Sequence, residues 1–425
     1  MISEQQILDV LSRIIDPDFQ RDIVSLGFVQ NLTIEGDAVS FEIELTTPAC
    51  PLSPQFKKQA EDLVGALPEV GNVDVTMTAR KHAPHFQQAE SGLSGVKEII
   101  AVSSCKGGVG KSTIAALIAR TLAGRGISTG LLDADIYGPS LPTLFNLHHP
   151  KVYSNQKERI LPVEADGLKL MSFAFLTGDG PTVLRGPIVS QYIQQLLHAV
   201  EWGELDVLVL DLPPGTGDIQ LTISQSIQID GAVIVTTPHQ LSLTDVRKGI
   251  QMFDKVNVPV LGVVENMAWF ACDECSKKHY PFGTAGAKSL EEKFGLETLA
   301  ELPISPNLRA EYADETTDAV VRALGKKALE NKAAPEVSFD ETHITLRWPD
   351  ETVRVKNAVL RKACGCALCV DEMTQKPILD PADIPGDIHA ESVGTIGNYA
   401  ITVDWSDGHN TGFFPYKTIR ELSES

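Results

Sequence analysis

The stretch Ile99–Thr113 reads IIAVSSCKGGVGKST and decides the fold of the chain. An apolar run typical of a strand leads into a glycine-rich loop and then into the start of a helix. Glycines let successive backbone N–H groups turn inward around phosphate oxygens, and the following helix adds its positive N-terminal end. The stretch therefore predicts a strand, a phosphate-binding loop and a helix in direct succession.

The side chains of this loop predict the ligand as ATP with Mg²⁺. Lys111 is expected to reach the β- and γ-phosphates, and the Ser112 hydroxyl is expected to ligate the metal. The first position of the pattern is usually glycine, but here it is a cysteine. The residues expected to contact the nucleotide are Cys105, Lys106, Gly107, Gly108, Val109, Gly110, Lys111, Ser112 and Thr113.

The rest of the central segment predicts an α/β architecture. Stretches of helical periodicity separate the apolar runs, which are Glu98–Val102, Ser128–Leu132, Val207–Leu210, Ala232–Val235 and Val258–Val264. Strands that are buried on both faces have such continuous apolar runs, which is typical of a parallel sheet covered by helices. Residues 96–325 are therefore expected to form a doubly wound parallel-sheet ATPase domain.

Acidic residues end two of the predicted strands. Asp135 closes the segment Leu131–Asp135, and Asp211 ends a later apolar run. Ligands of this architecture bind at the carboxyl edge of the sheet, so Asp211 is expected to hold a magnesium-bound water. The following stretch Pro213–Asp218 is typical of a switch loop, in which Gly215 is expected to approach the γ-phosphate.

Two smaller domains are expected on either side. Residues 1–80 combine helical spacing with the strand alternation of Val39–Leu45, which predicts a small α/β domain. Residues 336–422 contain alternating stretches such as Ile344–Trp348, which predict a small β-rich domain.

Charge and composition exclude several classes of partner. The net charge of −20 is expected to repel nucleic acid and anionic membrane surfaces. No apolar run approaches the roughly 20 residues that span a bilayer. The N-terminal residues Met1–Gln6 lack the features of a signal peptide or an Arg-rich transit peptide. These observations predict a cytoplasmic protein with neither nucleic acid nor membrane as a partner.

The cysteines indicate metal binding. Five of the seven cysteines form two tight clusters, which contain Cys272 and Cys275, and then Cys364, Cys366 and Cys369. In a reducing compartment such clusters favour metal sites over disulfides.

Lys106 directly precedes Gly-Gly, and the loop therefore resembles the deviant form found in nitrogenase iron protein, the septum-site regulator MinD and the partitioning ATPases. This resemblance implies a homodimer in which Lys106 reaches the partner's phosphates, as an arginine finger does. It also implies that Asp135 orients or activates the attacking water. Lys106, Lys111 and Asp135 are therefore the candidate catalytic residues. A solvated loop lysine is the simpler interpretation of Lys106.

More specific motifs resemble those of the Mrp/ApbC family of iron–sulfur carrier ATPases. These motifs are Asp135–Ser140, Asp211–Asp218 and Val264–Met267, within a resemblance that covers residues 96–325. The family resemblance implies that Asn266 contacts the adenine base. It further implies an ATP-hydrolysing protein whose partners are a cluster donor and apo-proteins that receive the cluster.

The pair Cys272 and Cys275 follows the last of these motifs. The resemblance implies that they bind half of a 4Fe–4S cluster and that a second subunit supplies the other two thiolates. The family usually has proline after the first cysteine, whereas this chain has Asp273 and Glu274 between the two. Zinc binding and a redox pair are the alternatives.

Residues 1–80 resemble the iron–sulfur assembly factors PaaD and SufT, on Asp16–Asp18, Asp22–Gly27 and Thr47–Leu52. The resemblance implies that Cys50 is a reactive thiol. The alternative is a buried small residue at a junction between a strand and a helix.

Residues 336–422 resemble the N-terminal domain of gamma-butyrobetaine hydroxylase, on Leu346–Trp348 and Trp405–His409 among others. The resemblance implies a structural Zn²⁺ ion bound by Cys364, Cys366, Cys369 and His409, which is a closed tetrahedral set. An iron–sulfur cluster at the same cysteines is the main alternative.

The order of the three domains is similar to that of the chloroplast high-chlorophyll-fluorescence scaffold, a member of the same family, and the N-terminus favours a bacterial relative. Together the resemblances predict a homodimeric, ATP-dependent iron–sulfur carrier. The alternatives are a switch ATPase of the MinD or partitioning type without a cluster, and a metal-dependent scaffold with vestigial ATP turnover.

Overall fold

The computed structural model contains two compact units, residues 1–328 and 329–425. It describes the chain except for residues 1, 80–90, 148–149, 178–191, 194, 216–217, 239, 273, 276, 284–295, 306–309, 331–334, 349–350, 365–368, 370–378, 381–383, 397–399, 410–412 and 424–425.

The first unit begins with a small α/β layer. Its helices are α1 (Glu4–Leu11) and α2 (Ser53–Gly65), and its strands are β1 (Ile15–Asp16), β2 (Arg21–Asp22), β3 (Val29–Glu35), β4 (Ala38–Leu45) and β5 (Asn72–Ala79). The strands β3, β4 and β5 form one sheet in that order. A capping box between Ser3 and Gln6 starts α1, and the alternation of β4 buries Phe41 and Ile43.

The large sheet of the first unit is mainly parallel. Its strands are β6 (Val96–Ser103), β7 (Thr129–Asp133), β8 (Val163–Ala165), β9 (Leu168–Ser172), β10 (Leu205–Asp211), β11 (Gly231–Thr236), β12 (Val260–Ala271), β13 (Lys278–His279) and β14 (Thr298–Pro303). The order is β13-β12-β11-β6-β10-β7-β9-β8, with β14 also pairing with β12. The pairs β8–β9 and β12–β13 are antiparallel.

The helices of this unit show why the sheet is doubly wound. They are α3 (Lys111–Gly124), α4 (Leu141–Leu144), α5 (Phe173–Thr177), α6 (Asp218–Ser226), α7 (Gln240–Lys255) and α8 (Ala310–Glu330). Helix α3 connects β6 to β7, and this connection crosses β10, which lies between the two strands in the sheet. The connection from β10 to β11 runs in the opposite direction and crosses β6. Right-handed crossovers in opposite directions place helices on opposite faces. The predicted fold class is confirmed, and the loop after β6 lies at the switch point of the strand order.

The second unit is small and rich in strands. Its elements are β15 (Glu336–Phe339), β16 (His343–Arg347), β17 (Thr352–Lys356), α9 (Asn357–Lys362), β18 (Ala390–Ile396), β19 (Ala400–Trp405), β20 (Phe413–Pro415) and α10 (Tyr416–Leu422). Two antiparallel sheets, β15-β16-β17 and β18-β19-β20, share a core in which Trp405 packs edge-on against Phe414 with ring centroids 6.0 Å apart.

Across the described ranges, no helix is both long enough and apolar enough to cross a bilayer.

Candidate functional site

The glycine-rich loop has the backbone conformation of an anion cradle. Gly108 and Gly110 adopt φ values of +80° and +87°, in the left-handed region that glycine tolerates. A Cβ atom built on Gly107 or Gly108 meets no atom of the described residues within 4 Å, so this side of the loop is open. Helix α3 begins directly afterwards, at Lys111. The loop and the helix start therefore present the N–H groups and positive dipole that bind phosphate.

Lys111 and Asp211 form a buried ion pair behind the loop, with side chains 6% and 0% exposed. Burial raises the pKa of Asp211, while Lys111 and a hydrogen bond with Ser112 oppose the shift. The second carboxylate oxygen of Asp211 is buried and has no hydrogen-bond partner among the described residues. An acceptor oxygen beside a serine hydroxyl suits the hydrated, oxygen-seeking Mg²⁺ ion, so the predicted residues fit that metal.

Asp133 organises the neighbouring turn, and the sequence analysis missed it. Its carboxylate accepts the N–H groups of Asp135, Ser140 and Leu141 at 3.1, 2.8 and 3.3 Å. Complete burial and the nearby charge of Asp211 raise the pKa of Asp133. Asp135, whose carboxylate accepts the N–H of Gly138 at 3.1 Å, is thereby fixed at the edge of the sheet. Asp133 is the last residue of β7 and Asp135 lies two residues beyond it, and the sequence pattern did not show that Asp133 is the one that is completely buried.

Asn266 and Gly215 both contact the loop region. The side-chain amide of Asn266 donates to the carbonyl of Val109 at 2.9 Å. A Cβ atom on Gly110 would lie 2.3 Å from the Asn266 amide nitrogen, so this approach requires glycine. The N–H of Gly215 donates to the carbonyl of Ser104 at 2.8 Å. The structure thus gathers both residues at the loop, and their contacts with adenine and the γ-phosphate stay predictions.

Cys105 occupies the usual glycine position because helix α7 leaves room for its sulfur. A Cβ atom on Gly249 would lie 2.8 Å from the Cys105 sulfur, so the missing side chain of Gly249 accommodates the thiol. The next residue, Lys106, is half-buried, and its carbonyl accepts the Ser104 hydroxyl at 2.8 Å.

Strand β12 connects the loop with the predicted cluster cysteines. Asn266, which touches the loop, is followed by Met267 at φ +58°, a conformation that costs free energy in a non-glycine residue. The pairing of β12 with β14 shifts register at this point, and the end of β12 pairs with β13 instead. Cys272 and Cys275 lie in the connection between β12 and β13.

The structure adds His279 to this pair. The thiol sulfurs of Cys272 and Cys275 and one imidazole nitrogen of His279 all lie within 4.8 Å of one another. Cys272 is half-buried, whereas Cys275 and His279 are exposed. The spacing Cys-x-x-Cys-x-x-x-His is the sequence signal that was overlooked.

A second group of metal-ligand type lies in the second unit. The sulfurs of Cys364 and Cys369 lie 3.3 and 3.8 Å from the imidazole Nε2 of His409. Burial and then the charge of Arg361 lower the pKa of His409, which favours the neutral, ligating imidazole. Both cysteines are buried, so the three groups fit a structural zinc ion. The fourth predicted ligand, Cys366, lies outside the described residues.

Cys50, in the first unit, lines a cavity together with Asp16, Phe28 and the residues Arg322 and Gly325 of helix α8. Burial, and then the charges of two neighbouring aspartates, raise the pKa of Cys50 to about 11. The thiol is therefore protonated at neutral pH, which favours the structural interpretation of this residue over a reactive one.

Alkylation tests this interpretation. Iodoacetamide reacts with the thiolate form of cysteine. At pH 7.5 we therefore expect the alkylation rate of Cys50 to be about 100-fold lower in the folded protein than in the urea-unfolded chain. The rate should rise about tenfold per pH unit up to the pKa. Iodoacetamide labelling with peptide mass spectrometry measures both rates, and equal rates in the folded and unfolded chain contradict the assigned burial.

Models of three protein families match the chain. Residues 95–336 match the NUBPL iron-transfer P-loop NTPase model, residues 4–75 match an iron–sulfur cluster assembly protein model, and residues 336–420 match the gamma-butyrobetaine hydroxylase-like N-terminal model.

Individual relatives agree with these matches. The chain is 44% identical to the chloroplastic Fe-S cluster assembly factor HCF101 of Arabidopsis thaliana, over 99% of this chain and 83% of that protein. It is 42% identical to the iron-sulfur cluster carrier protein of Synechocystis sp., over 76% of this chain and 92% of that protein. A solved structure of a nucleotide-binding protein with ADP from Archaeoglobus fulgidus is 40% identical, with a TM-score of 0.46, and covers 55% of this chain and 90% of that one. The family model over residues 95–336 and the 44% identity to HCF101 show that the chain belongs to the NUBPL-type family of iron-transfer P-loop NTPases.

Proposed function

We propose that the protein is an ATP-dependent carrier that binds a 4Fe–4S cluster between two subunits and transfers it to apo-proteins. The observation that carries this proposal is the course of β12. Cys272, at the cysteine pair, lies six positions after Asn266, at the nucleotide loop. A change in the loop on ATP binding or hydrolysis would therefore act on the same strand that positions the cluster thiolates.

The residues at the nucleotide loop suit ATP hydrolysis. Lys111 and the loop N–H groups would bind the phosphates, and Ser112 and Asp211 would hold Mg²⁺, which neutralises charge on the β- and γ-phosphates. Asp135, fixed by Asp133, would orient the attacking water. Asp211 pairs with Lys111, and the phosphates of a bound nucleotide would share the charge of this lysine.

Binding of the cluster by the cysteine pair requires a homodimer. Two thiolates per subunit provide half of the ligands that a 4Fe–4S cluster takes. Exposed apolar side chains lie in the chain close to the cysteines: Phe270, Tyr280 and Phe282 are 40%, 37% and 51% exposed. Such residues are enriched in protein interfaces, which supports pairing of two subunits at this end. Lys106 would then act on the nucleotide of the partner.

The flanking segments would select partners. Residues 1–80 would contact the cluster donor or the apo-protein, residues 96–325 would form the ATPase domain, and residues 336–422 would form a zinc-stabilised domain. The names of the relatives, an assembly factor and a carrier protein, support the carrier role, and the family models that match residues 4–75 and 336–420 support separate flanking segments.

Anaerobic reconstitution tests the proposal. Wild-type protein supplied with Fe²⁺, Fe³⁺ and sulfide should take up one cluster per dimer and pass it to an apo-ferredoxin. The Cys272→Ala/Cys275→Ala variant should lose both activities while keeping its ATP affinity. Iron and sulfide analysis with the absorption spectrum gives the readout, and a full transferable cluster on this variant contradicts the assigned site.

A further inference from the structure

Backbone pairing closes the hairpin that carries the cysteines. Phe270 pairs with His279 and Ala271 with Lys278 in antiparallel register. The N–H of Cys272 donates to the carbonyl of Lys277 at 3.0 Å and fixes the turn. Backbone hydrogen bonds therefore place one cysteine at the end of β12 and the histidine on the returning strand.

The ligand atoms of this hairpin match the size of a single ion. A tetrahedral centre with metal–sulfur bonds of about 2.3 Å and metal–nitrogen bonds of about 2.0 Å separates its ligand atoms by roughly 3.5–3.8 Å. The two sulfurs and the imidazole nitrogen already lie within 4.8 Å of one another. Small rotations of the exposed side chains would bring all three onto one ion.

Neighbouring aromatic rings orient the charged and ligating groups. The His279 ring stacks on Phe270, with centroids 5.2 Å apart and planes 20° from parallel. The next side chain, Lys278, lies over the ring of Trp269 at 4.2 Å. Successive strand residues point to opposite faces, so the ammonium group is directed away from the thiols and the imidazole. The stacking restricts the imidazole, as supporting contacts of metal-binding histidines do.

We propose that Cys272, Cys275 and His279 of one subunit bind a single Fe²⁺ or Zn²⁺ ion and leave the fourth coordination position open. Two thiolates and a neutral imidazole neutralise the divalent charge and suit these metals. This site deepens the proposed function, because the same cysteines alternate between a cluster shared by two subunits and one ion held by a single subunit. The open position accepts water or a thiolate from another protein.

Cobalt titration of the full chain tests the site. Co²⁺ is added anaerobically to reduced, metal-free protein as an optical probe for Fe²⁺ and Zn²⁺. The Cys272→Ser/Cys275→Ser variant gives the signal of the second unit, and its subtraction leaves the signal of the hairpin. His279→Ala should weaken this cobalt binding at least about 100-fold, since it removes a ligand rather than a supporting contact.

Two variants make the result specific. His279→Cys should restore tight binding and strengthen the thiolate-to-cobalt charge-transfer band, whereas His343→Ala, a change in the second unit, should match wild type. Wild-type cobalt affinity and spectrum in His279→Ala overturn the proposal. Competition of Zn²⁺ and Fe²⁺ against bound Co²⁺ then identifies the preferred metal.

Reconstitution separates this inference from the proposed function. His279→Ala should still form the cluster shared between subunits, because the four thiolates remain. A wild-type protein that binds cobalt at the hairpin and forms no cluster contradicts the carrier function alone. A His279→Ala variant with unchanged cobalt binding and a normal cluster contradicts the single-ion site alone.

Discussion

Replacement of Lys106 by alanine is expected to lower the ATP turnover rate by about 10³-fold, with little change in ATP affinity. A cation supplied by a partner subunit stabilises charge that develops in the transition state, and its loss costs about 10³–10⁵ in rate. Single-turnover hydrolysis and nucleotide titration measure the two quantities. Lys157→Ala, a change at an exposed turn, is the matched control and should behave as wild type.

Mixing variants shows whether Lys106 acts across the dimer. Lys106→Ala and Asp135→Asn are each expected to be inactive alone. In a 1:1 mixture half of the dimers are mixed and each has one complete site, so about a quarter of the wild-type rate should return. A mixture that stays as inactive as its components contradicts action in trans and, with it, the homodimeric arrangement of the two ATP sites.

Removal of metal from the second unit is expected to unfold that unit. Structural zinc contributes about 10–16 kcal/mol in zinc fingers, and a small domain is stable by only about 5–15 kcal/mol. Cys364→Ser, or a strong chelator, should therefore abolish the cooperative melting of residues 329–425. Trp348 and Trp405 are buried in this unit and report its unfolding through their fluorescence.

The hairpin variant is the control for the metal of the second unit. Cys272→Ser/Cys275→Ser should leave that melting transition unchanged, since its cysteines lie in the first unit. Metal analysis of the purified hairpin variant should find one zinc per chain. Iron in place of zinc contradicts the zinc assignment, and a Cys364→Ser variant that melts as wild type contradicts a structural role for the metal.

Local motifs allowed the fold and the nucleotide loop to be predicted, because they depend on neighbouring residues. The pattern of a strand followed by a helix was enough to predict the roles of the loop glycines and Lys111. The position of Asp211 at the end of an apolar run was enough to predict its role. The accommodation of Cys105 did not follow, because Gly249 lies in a helix that is distant in sequence. The pairing of Lys111 with Asp211 was also missed, since the predicted partners of both residues were ligands.

At the metal sites, too, some residues were predicted from the sequence and others were not. Cysteine spacing identified Cys272 and Cys275, but the antiparallel register of β12 and β13 was needed to bring His279 beside them. The protonated state of Cys50 depends on burial beneath helix α8, which no pattern near residue 50 contains. The environment of Cys50 is decided by a contact between distant segments, which a single sequence does not give, whereas His279 lies within reach of the cysteine spacing and its role was overlooked.

Strand β12, with Met267 in the left-handed region, joins the nucleotide loop to Cys272 and so links two binding sites. Free energies of binding at two linked sites are reciprocal, so any factor by which ATP changes metal affinity at Cys272 is the factor by which metal changes ATP affinity. In such a carrier the fraction of ATP-bound protein depends on whether metal is bound. Loss of bound iron would then appear as a change in nucleotide occupancy.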